Sequence, residues 1–334
     1  MTADASKISP ATSIGERLSA FGPVLGLVLV YGVFFLVGPD SFHSAYNTKT
    51  FLTQAVIYGI GALGMTFVIV SGGIDLSVGS LIALGTVIIG LVLREWGGEE
   101  VGVALPIIAA AAGILACALC GFISGAIISG FRIVPFIVTL GMMQIARGVA
   151  KGAADQTTVS APSTWLNDLM VVEPTVDAWY SIAPGVWFMV ILLVVSTIIL
   201  RRTRFGRYVF ALGSNESTAR LCGINVSLQR IWVYTLCGAF TGIASVMQFA
   251  NLTLGDPTAA VGMELDIIAA VVIGGGSLSG GEGSATGSII GAIIMAILRN
   301  GCNLVGIPNY VQNIVIGAII ILAVGIDRLK HREA

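Results

Sequence analysis

The chain has 334 residues, of which 56% are hydrophobic and 10% are charged, and its formal net charge is −1. A soluble domain carries about 25% charged residues, so this composition and a mean hydropathy of +0.94 exclude a soluble globular protein. No basic tail or patch points to nucleic acid. The composition therefore predicts an all-α polytopic membrane protein.

About ten apolar stretches follow one another along the chain, and each is a candidate transmembrane helix. Residues 1–21 are polar and of mixed charge, so we expect a cytoplasmic N-terminal segment and not a cleaved signal peptide. A transmembrane domain follows over residues 22–326, and residues 327–334 form a cytoplasmic tail. The predicted spans are 23–38, 51–71, 78–93, 103–129, 134–150, 183–200, 231–250, 267–274, 284–298 and 311–325.

Glycine-rich breaks interrupt these spans in two places and repeat the pattern Gly-Gly-x-x-Leu-Ser. Broken spans in corresponding places of two halves are typical of a transport pathway, so the repeat predicts two related halves. The eighth span, 267–274, ends at the second break and is too short to cross a bilayer unless Glu264 and Asp266 lie within the helix, so we expect a half-helix with its end buried in protein. The defining residues are Gly72, Gly73, Asp75 and Ser77 in the first break, and Gly274, Gly275, Gly276 and Glu282 in the second.

The carboxylates of the two breaks have two interpretations. Ionisable groups at membrane depth are costly and often functional, so Asp75 and Glu282 are candidates for the ion relay of a secondary transporter. Alternatively, each carboxylate caps the helix that follows it, where free N–H groups and the helix dipole favour a negative charge. Two arginines in apolar runs, Arg147 and Arg299, are expected at the outer ends of their helices, with guanidinium groups reaching the interface.

Small residues spaced four apart predict close contacts between helices. Gly121 with Gly125, and Gly287 with Gly291, form such pairs, and the second pair is alternatively suited to contact with a symmetry mate.

Cys117 and Cys120 lie inside an apolar helix, with no second cysteine pair or histidine cluster beside them. We therefore interpret them as packing residues, and no metal or cofactor site is predicted.

Six polar side chains stand within apolar runs and are candidates for lining a pathway for a neutral polyol. Hydroxyl and amide groups suit such a solute because they hydrogen-bond without charge. Hydrogen bonds between helices are the alternative for each of them. The six are Gln54, Thr66, Thr139, Gln144, Gln248 and Asn251.

The basic loop 201–230 carries six arginines against one acid, Glu216. Ser214 or Asn215 is suited to cap a short helix from Glu216 to about residue 221, and Gly223 to end it in the left-handed conformation. Such a helix is a docking element for a cytoplasmic partner, or else the loop is solvated and only fixes topology. The spacing alone does not decide between the two.

Loop charges predict the orientation, because basic loops stay in the cytoplasm. Loop 201–230 and the C-terminal tail are basic, whereas segments 94–100, 151–184 and 251–266 are rich in acids. Ten spans with both termini in the cytoplasm place every one of these segments on its expected side.

Residues 278–282 resemble the signature motif of ABC ATPases, but the chain has no phosphate-binding Gly-x-x-x-x-Gly-Lys-Ser/Thr loop. We therefore expect a protein that is not an enzyme.

Four stretches resemble the permease subunits of bacterial ribose/xylose/arabinose-type ABC importers: residues 64–80, 135–148, 203–216 and 270–283. The resemblance extends in order over residues 50–326. It implies an inner-membrane permease that moves a monosaccharide or related polyol by alternating access. It also implies three partners in the bilayer or beside it: a second permease subunit, identical or paralogous; a cytoplasmic ABC ATPase; and a periplasmic or lipid-anchored sugar-binding protein.

In that family the loop 203–225 is the element that couples the permease to its ATPase. The resemblance therefore favours docking over a merely solvated loop. The residues assigned to this element are Gly206, Ala211, Gly213, Asn215, Glu216, Ala219 and Gly223. An ion-coupled secondary transporter that uses Asp75 and Glu282 is the alternative function, and a passive channel is a third.

Overall fold

The computed structural model describes residues 14–97, 101–173 and 181–330, and these residues are nearly all helical. They form twelve α-helices, two short 3-10 helices (Asp40–His43 and Asn167–Met170) and one antiparallel pair of two-residue strands, β1 (Val159–Ser160) and β2 (Leu254–Gly255). The helices are α1 (Ile14–Val37), α2 (Ala45–Val70), α3 (Val78–Trp96), α4 (Ala104–Phe131), α5 (Pro135–Ala153), α6 (Pro184–Arg202), α7 (Arg204–Ser214), α8 (Glu216–Leu221), α9 (Val226–Leu252), α10 (Met263–Ile273), α11 (Ala285–Val305) and α12 (Asn309–Lys330).

Each of the ten predicted spans coincides with one of these helices. In the described ranges, six helices are long and apolar enough to cross a membrane: α2, α3, α4, α6, α9 and α11. The apolar parts of α1 and α12 are shorter. The all-α fold of a polytopic membrane protein is therefore confirmed, whereas the count of ten crossings stays a prediction.

Helix α10 is the half-helix that the sequence predicts. It has eleven residues, including Glu264 and Asp266, and at about 1.5 Å per residue it covers roughly 16 Å, about half of a bilayer core. The chain reaches its start by running back along α3. Gly255 lies against Thr86 near the middle of α3, and the carbonyl group of Ala260 lies against Gly79 at its beginning. The predicted outer segment 251–266 is thus packed along a helix and is not a free loop.

Glycines allow the central helices to approach each other closely. In α2, a side chain at Gly61 would meet Ile267 of α10, and one at Gly64 would meet Phe240 of α9. Small residues of this kind increase packing contacts where lipid provides no hydrophobic driving force. Helix α2 is consequently buried along most of its length.

The two predicted glycine pairs both pack within this chain. A Cβ atom at Gly121 would collide with the carbonyl oxygen of Tyr234, and one at Gly125 would lie 2.8 Å from the Cα atom of Ile231, so this pair packs α4 against α9. Gly287 and Gly291 face backbone atoms of the α10 segment in the same way. Helix packing is confirmed for both pairs, and the face offered to a symmetry mate is already occupied.

Arg147 and Arg299 do not extend outward, so the expectation that they reach an interface is wrong. Arg147 donates from Nη1 to the carbonyl oxygens of Pro257 (3.0 Å) and Ala259 (2.7 Å), and from Nε to Ser80 Oγ (3.2 Å). It therefore holds the returning segment against α3.

Arg299 is held in the same region of the bundle. Its Nε and Nη2 donate to Asp266 Oδ2 at 2.9 and 2.6 Å, which joins α11 to α10.

Cys117 also packs between helices, with its thiol 3.2 Å from the carbonyl oxygen of Leu81, and the cysteine is free. The packing interpretation of Cys117 is therefore confirmed.

Candidate functional site

Helix α7 turns back tightly from the end of α6. Thr203 caps α7, because its Oγ1 accepts the Gly206 N–H at 3.1 Å while donating to the carbonyl oxygen of Ile199 at 2.6 Å. Gly206 leaves no room for a side chain, since a Cβ atom there would collide with the carbonyl oxygen of Leu200. The sequence thus directs α7 across the end of the bundle instead of continuing α6.

Helix α8 has the predicted bounds and caps. Asn215 Oδ1 accepts the Thr218 N–H at 2.9 Å, and the Asn215 N–H donates to the carbonyl oxygen of Ala211 at 3.1 Å. Gly223 has φ +81°, and the Ile224 N–H returns to the carbonyl oxygen of buried Ala219 at 3.1 Å. The capped helix predicted from the sequence is confirmed, with Asn215 as the N-cap.

An ion cluster attaches α8 to the start of α9. Arg220 and Arg230 both contact the Glu216 carboxylate, at 3.0 Å and 2.5 Å. Partial burial tends to raise the pKa of Glu216, but the charge of Arg230 and the hydrogen bonds from both arginines outweigh it and hold the pKa below its usual value. Glu216 therefore anchors α8 within the chain.

The two glycine-rich breaks meet each other beneath the end of α7. The Gly281 N–H donates to the carbonyl oxygen of Val70 at 2.9 Å. Gly213 lies against this hydrogen bond, so close that a Cβ atom would collide with the Val70 oxygen and lie 2.5 Å from the Gly281 nitrogen. A Cβ atom on Gly280 would lie 3.0 Å from the Cα atom of Gly72. We call these five residues, Val70, Gly72, Gly213, Gly280 and Gly281, the glycine junction.

The breaks also end their preceding helices in the same way. Gly72 has φ +82° and Gly275 has φ +90°. In each break, the N–H of this glycine donates three residues back and the N–H of the next glycine donates five residues back, at 2.8–2.9 Å. The matching glycines are Gly72–Gly73 and Gly275–Gly276, so the structural repeat is shifted by one residue from the sequence repeat, which pairs Gly72 with Gly274.

Beyond these helix ends the two breaks differ in the burial and the contacts of their carboxylates. Asp75 is fully buried, and its Oδ1 accepts the N–H and the hydroxyl of Ser77 at 2.9 and 2.6 Å, just before α3 begins. Ser284, not Glu282, caps α11. Glu282 is exposed. The cap interpretation is therefore wrong for Glu282, whereas Asp75 accepts a free N–H immediately before its helix, as that interpretation predicts.

Asp75 lies against α9. The Cys237 thiol is beside its carboxylate, and Gly73 lies so close to the Tyr234 hydroxyl that a side chain there would collide with it. The first break is thus fixed between α2, α3 and α9, with Asp75 three residues beyond Gly72 of the glycine junction.

The six polar residues proposed to line a pathway do not share one environment. Thr66 and Thr139 are fully buried and bonded, the first to Ser288 Oγ at 2.7 Å and the second to the carbonyl oxygen of Ile74 at 3.3 Å. The remaining four are buried Gln248, half-buried Gln54, and exposed Gln144 and Asn251. A role in lining a pathway stays a prediction for each.

Sequence reasoning did not identify the partners that complete these contacts. Arg220 stands four residues from Glu216, a spacing that favours an ion pair on a helix, whereas no local pattern pairs Glu216 with Arg230. Val70 contributes to the glycine junction through its carbonyl oxygen. Its residue type therefore did not indicate this contact. Tyr234 reads as an ordinary apolar-helix residue in the sequence.

Comparison with known proteins gives consistent matches over most of the chain. Residues 47–324 match a family model described as "branched-chain amino acid transport system / permease component". The ribose import permease protein of Escherichia coli (strain K12) is 39% identical, over 92% of this chain and 93% of that protein. The ribose import permease protein of Bacillus subtilis (strain 168) is 36% identical over 94% of each chain.

An arabinose-related protein also matches. The L-arabinose ABC transporter permease protein of Azospirillum brasilense is 31% identical, over 98% of this chain and 93% of that protein. No solved structure matches the chain.

Proposed function

Since this chain belongs to the family of permease components of sugar ABC importers, we propose that it moves a monosaccharide or related polyol across the bacterial inner membrane by alternating access. Ribose, arabinose and fructose import permeases among its relatives support a monosaccharide substrate. ATP hydrolysis takes place on a separate ATPase subunit, since this chain has no phosphate-binding loop. The chain is thus the conduit and not an enzyme.

The complete transporter contains further subunits. A second permease subunit, the same chain or a paralogue, forms the other half of the pathway, and a sugar-binding protein delivers the substrate outside. The arginines of segment 201–230 favour a cytoplasmic location for α7 and α8. Both termini then face the cytoplasm, and the two breaks mark two related halves of the permease.

Helices α7 and α8 are the docking element for the ATPase in this proposal. The observation that carries it is the glycine junction, where Gly213 of α7 contacts the last residue of α2 and the break that follows α10. These contacts are between backbone atoms, so a change of side-chain rotamer cannot absorb a displacement of α7. Movement imposed on α8 by the ATPase is therefore passed to the ends of α2 and α10 together.

The ion-coupled alternative gains little support from the carboxylates. Asp75 is buried and hydrogen-bonded to Ser77, whereas Glu282 is exposed on the other break. A relay requires groups that exchange an ion along a connected path.

Uptake in membrane vesicles containing the chain and its copurifying subunits tests the proposed function. Uptake of labelled ribose or arabinose should require ATP on the side of α8 and should persist when ionophores collapse the ion gradients. Uptake that continues without ATP and stops with an ionophore would overturn the proposal.

Cross-linking tests the docking element separately. Ser217 is exposed on α8, and Ser44 is exposed at the opposite end of α2 from the junction. With Cys222 replaced by serine, Ser217→Cys should cross-link to the ATPase, whereas the control Ser44→Cys should not. Equal cross-linking at both sites, or none at Ser217→Cys, would contradict docking through α8.

A further inference from the structure

An apolar groove of about 420 Å³ lies where α6, α7 and α9 meet. Ile199 and Thr203 line it from the end of α6, Phe205 from the start of α7, and Trp232 and Leu236 from α9. Trp232 is 54% exposed. An aromatic ring of this kind is typical of the level at which a helix bundle meets the lipid headgroups.

Four exposed arginines flank the lining residues Thr203 and Phe205 along the chain, and we call them the arginine mouth: Arg201, Arg202, Arg204 and Arg207. None of them forms an ion pair with a described residue. Glu216, the only acid of segment 201–230, is already paired with Arg220 and Arg230. The positive charge beside the groove is therefore not compensated within the described part of the chain.

Helix stability explains only part of this charge. Arg201 and Arg202 are in the last turn of α6, where the helix dipole favours cations. Arg204 and Arg207 instead begin α7, whose first turn contains no acid, and cations are disfavoured there. An anion bound beside Arg204 and Arg207 would offset part of this positive charge.

We propose that this groove binds an anionic phospholipid of the cytoplasmic leaflet, with an acyl chain against Phe205, Trp232 and Leu236 and the phosphate at the arginine mouth. The proposal rests on the proposed orientation of α7. An apolar groove next to uncompensated arginines complements a ligand that is apolar at one end and anionic at the other.

A second groove of the same chain provides a contrast. It is lined by apolar residues of α1, α11 and α12 together with Ile307, among them Val30, Phe34, Cys302 and Val315, and has a volume of about 320 Å³. Its described lining residues carry no charged side chain. It is suited to acyl chains of any phospholipid, whereas the groove at Trp232 is suited to anionic ones.

Fluorescence quenching tests this proposal with the full chain in lipid vesicles. Brominated phosphatidylglycerol, diluted into phosphatidylcholine, should quench Trp232 at low mole fractions and saturate. Brominated phosphatidylcholine should quench only in proportion to its abundance. The saturable component should disappear in Trp232→Phe, which identifies the groove as its source.

The arginine mouth is tested by Arg204→Gln combined with Arg207→Gln, both at exposed positions that leave the packed core unchanged. The preference for phosphatidylglycerol should fall roughly tenfold or more, because each arginine near the surface adds to the attraction of anionic lipid. Arg132→Gln is the matched control, since Arg132 is exposed at the end of α4, and it should keep the preference. Arg201→Gln combined with Arg202→Gln provides a second pair if the first folds poorly.

Three results would overturn the proposal. Equal quenching by both lipids would remove the anionic preference, and an unchanged preference in both arginine pairs would remove the arginine mouth. Complete relief of quenching by inorganic phosphate would identify a simple anion site in place of a lipid site. Because the readout involves no transport, its failure is distinguishable from failure of the proposed importer function.

Discussion

The Gly281 amide donates a hydrogen bond to the carbonyl oxygen of Val70 at 2.9 Å, which attaches the second glycine-rich break to the last residue of α2. Gly213 of α7 rests on this bond without a side chain between them. Three segments that are distant in the chain therefore share one backbone contact. We therefore expect a displacement of α7 to move the end of α2 and the break that follows α10 together.

Gly213→Ala should disrupt the junction. The added Cβ atom collides with the Val70 oxygen, and both collision partners, this oxygen and the Gly281 nitrogen, are backbone atoms that must shift. We expect a loss of about 1–3 kcal/mol in the free energy of unfolding, typical of overpacking, and weaker coupling of ATPase activity to uptake. Thermal unfolding and ATP hydrolysed per sugar transported measure the two effects.

Gly148→Ala provides the matched control for this change. Gly148 is also helical, in α5, but an added Cβ atom there has no neighbour within 4 Å. It should leave coupling unchanged and should raise stability by about 0.5–1 kcal/mol, because alanine favours a helix interior more than glycine does. A Gly213→Ala variant that matched this control in both measurements would remove the junction from the coupling mechanism.

Asp75→Asn should retain uptake, whereas Asp75→Leu should not. An asparagine side chain still offers an oxygen to the N–H and hydroxyl of Ser77, but leucine leaves both donors buried without an acceptor. Such a loss costs about 1–3 kcal/mol. Thermal unfolding and ATP-driven uptake are the measurements.

Asp256 provides a control with the same local geometry. Its Oδ1 accepts the N–H and the hydroxyl of Thr258, both at 2.7 Å, but this turn is more exposed. Asp256→Leu should therefore cost less than Asp75→Leu. Loss of uptake in Asp75→Asn with an intact fold would instead favour the ion-coupled mechanism.

Acid should release α8 from α9. The pKa of Glu216 is lower in the folded chain than its ordinary value of 4.5, so the ion cluster contributes stability at pH values above 4.5 and loses it as the pH falls below that value. The pair is partly exposed, so we expect only about 0.5–1 kcal/mol. Hydrogen exchange of α8 amides at neutral pH and at about pH 4 measures this release.

Relative to the intrinsic exchange rate at each pH, α8 amides of Glu216→Gln should be less protected at neutral pH and should lose no further protection in acid. Glu95→Gln is the control, because Glu95 pairs with Arg94 in an exposed position on α3, and it should exchange like the unchanged chain. Equal protection of α8 in Glu216→Gln and the unchanged chain would show that the cluster does not anchor it.

The sequence predicts α8 well because its signals are local. Asn215 and Gly223 mark its two ends within nine residues, and each acts on its own neighbours in the chain. The glycine junction has no such signal, since Val70, Gly213 and Gly281 meet through backbone atoms. Glycine in a sequence indicates freedom of the chain but not which segment will approach it.

The polar residues of the spans illustrate the same difference. Thr66 stands out in an apolar run, but its role depends on Ser288, which lies 222 residues away along the chain and 2.7 Å away in the fold. Likewise, Arg147 and Arg299 read as interface residues until the returning segment and α10 are placed beside them. Pairings of this kind arise from helix arrangement, which composition and periodicity do not specify.

Arg299→Met should be strongly destabilising. The side chain of Asp266 is only 3% exposed, and its carboxylate accepts two hydrogen bonds from Arg299. The variant therefore leaves a buried carboxylate without its cation. Removing one partner of a buried pair costs about 3–5 kcal/mol. Adding Asp266→Asn removes the uncompensated charge and should recover a large part of that loss. Thermal unfolding of both single variants and the double variant in one detergent gives the coupling between the two sites. A double variant no more stable than Arg299→Met would show that the pair does not join α10 to α11.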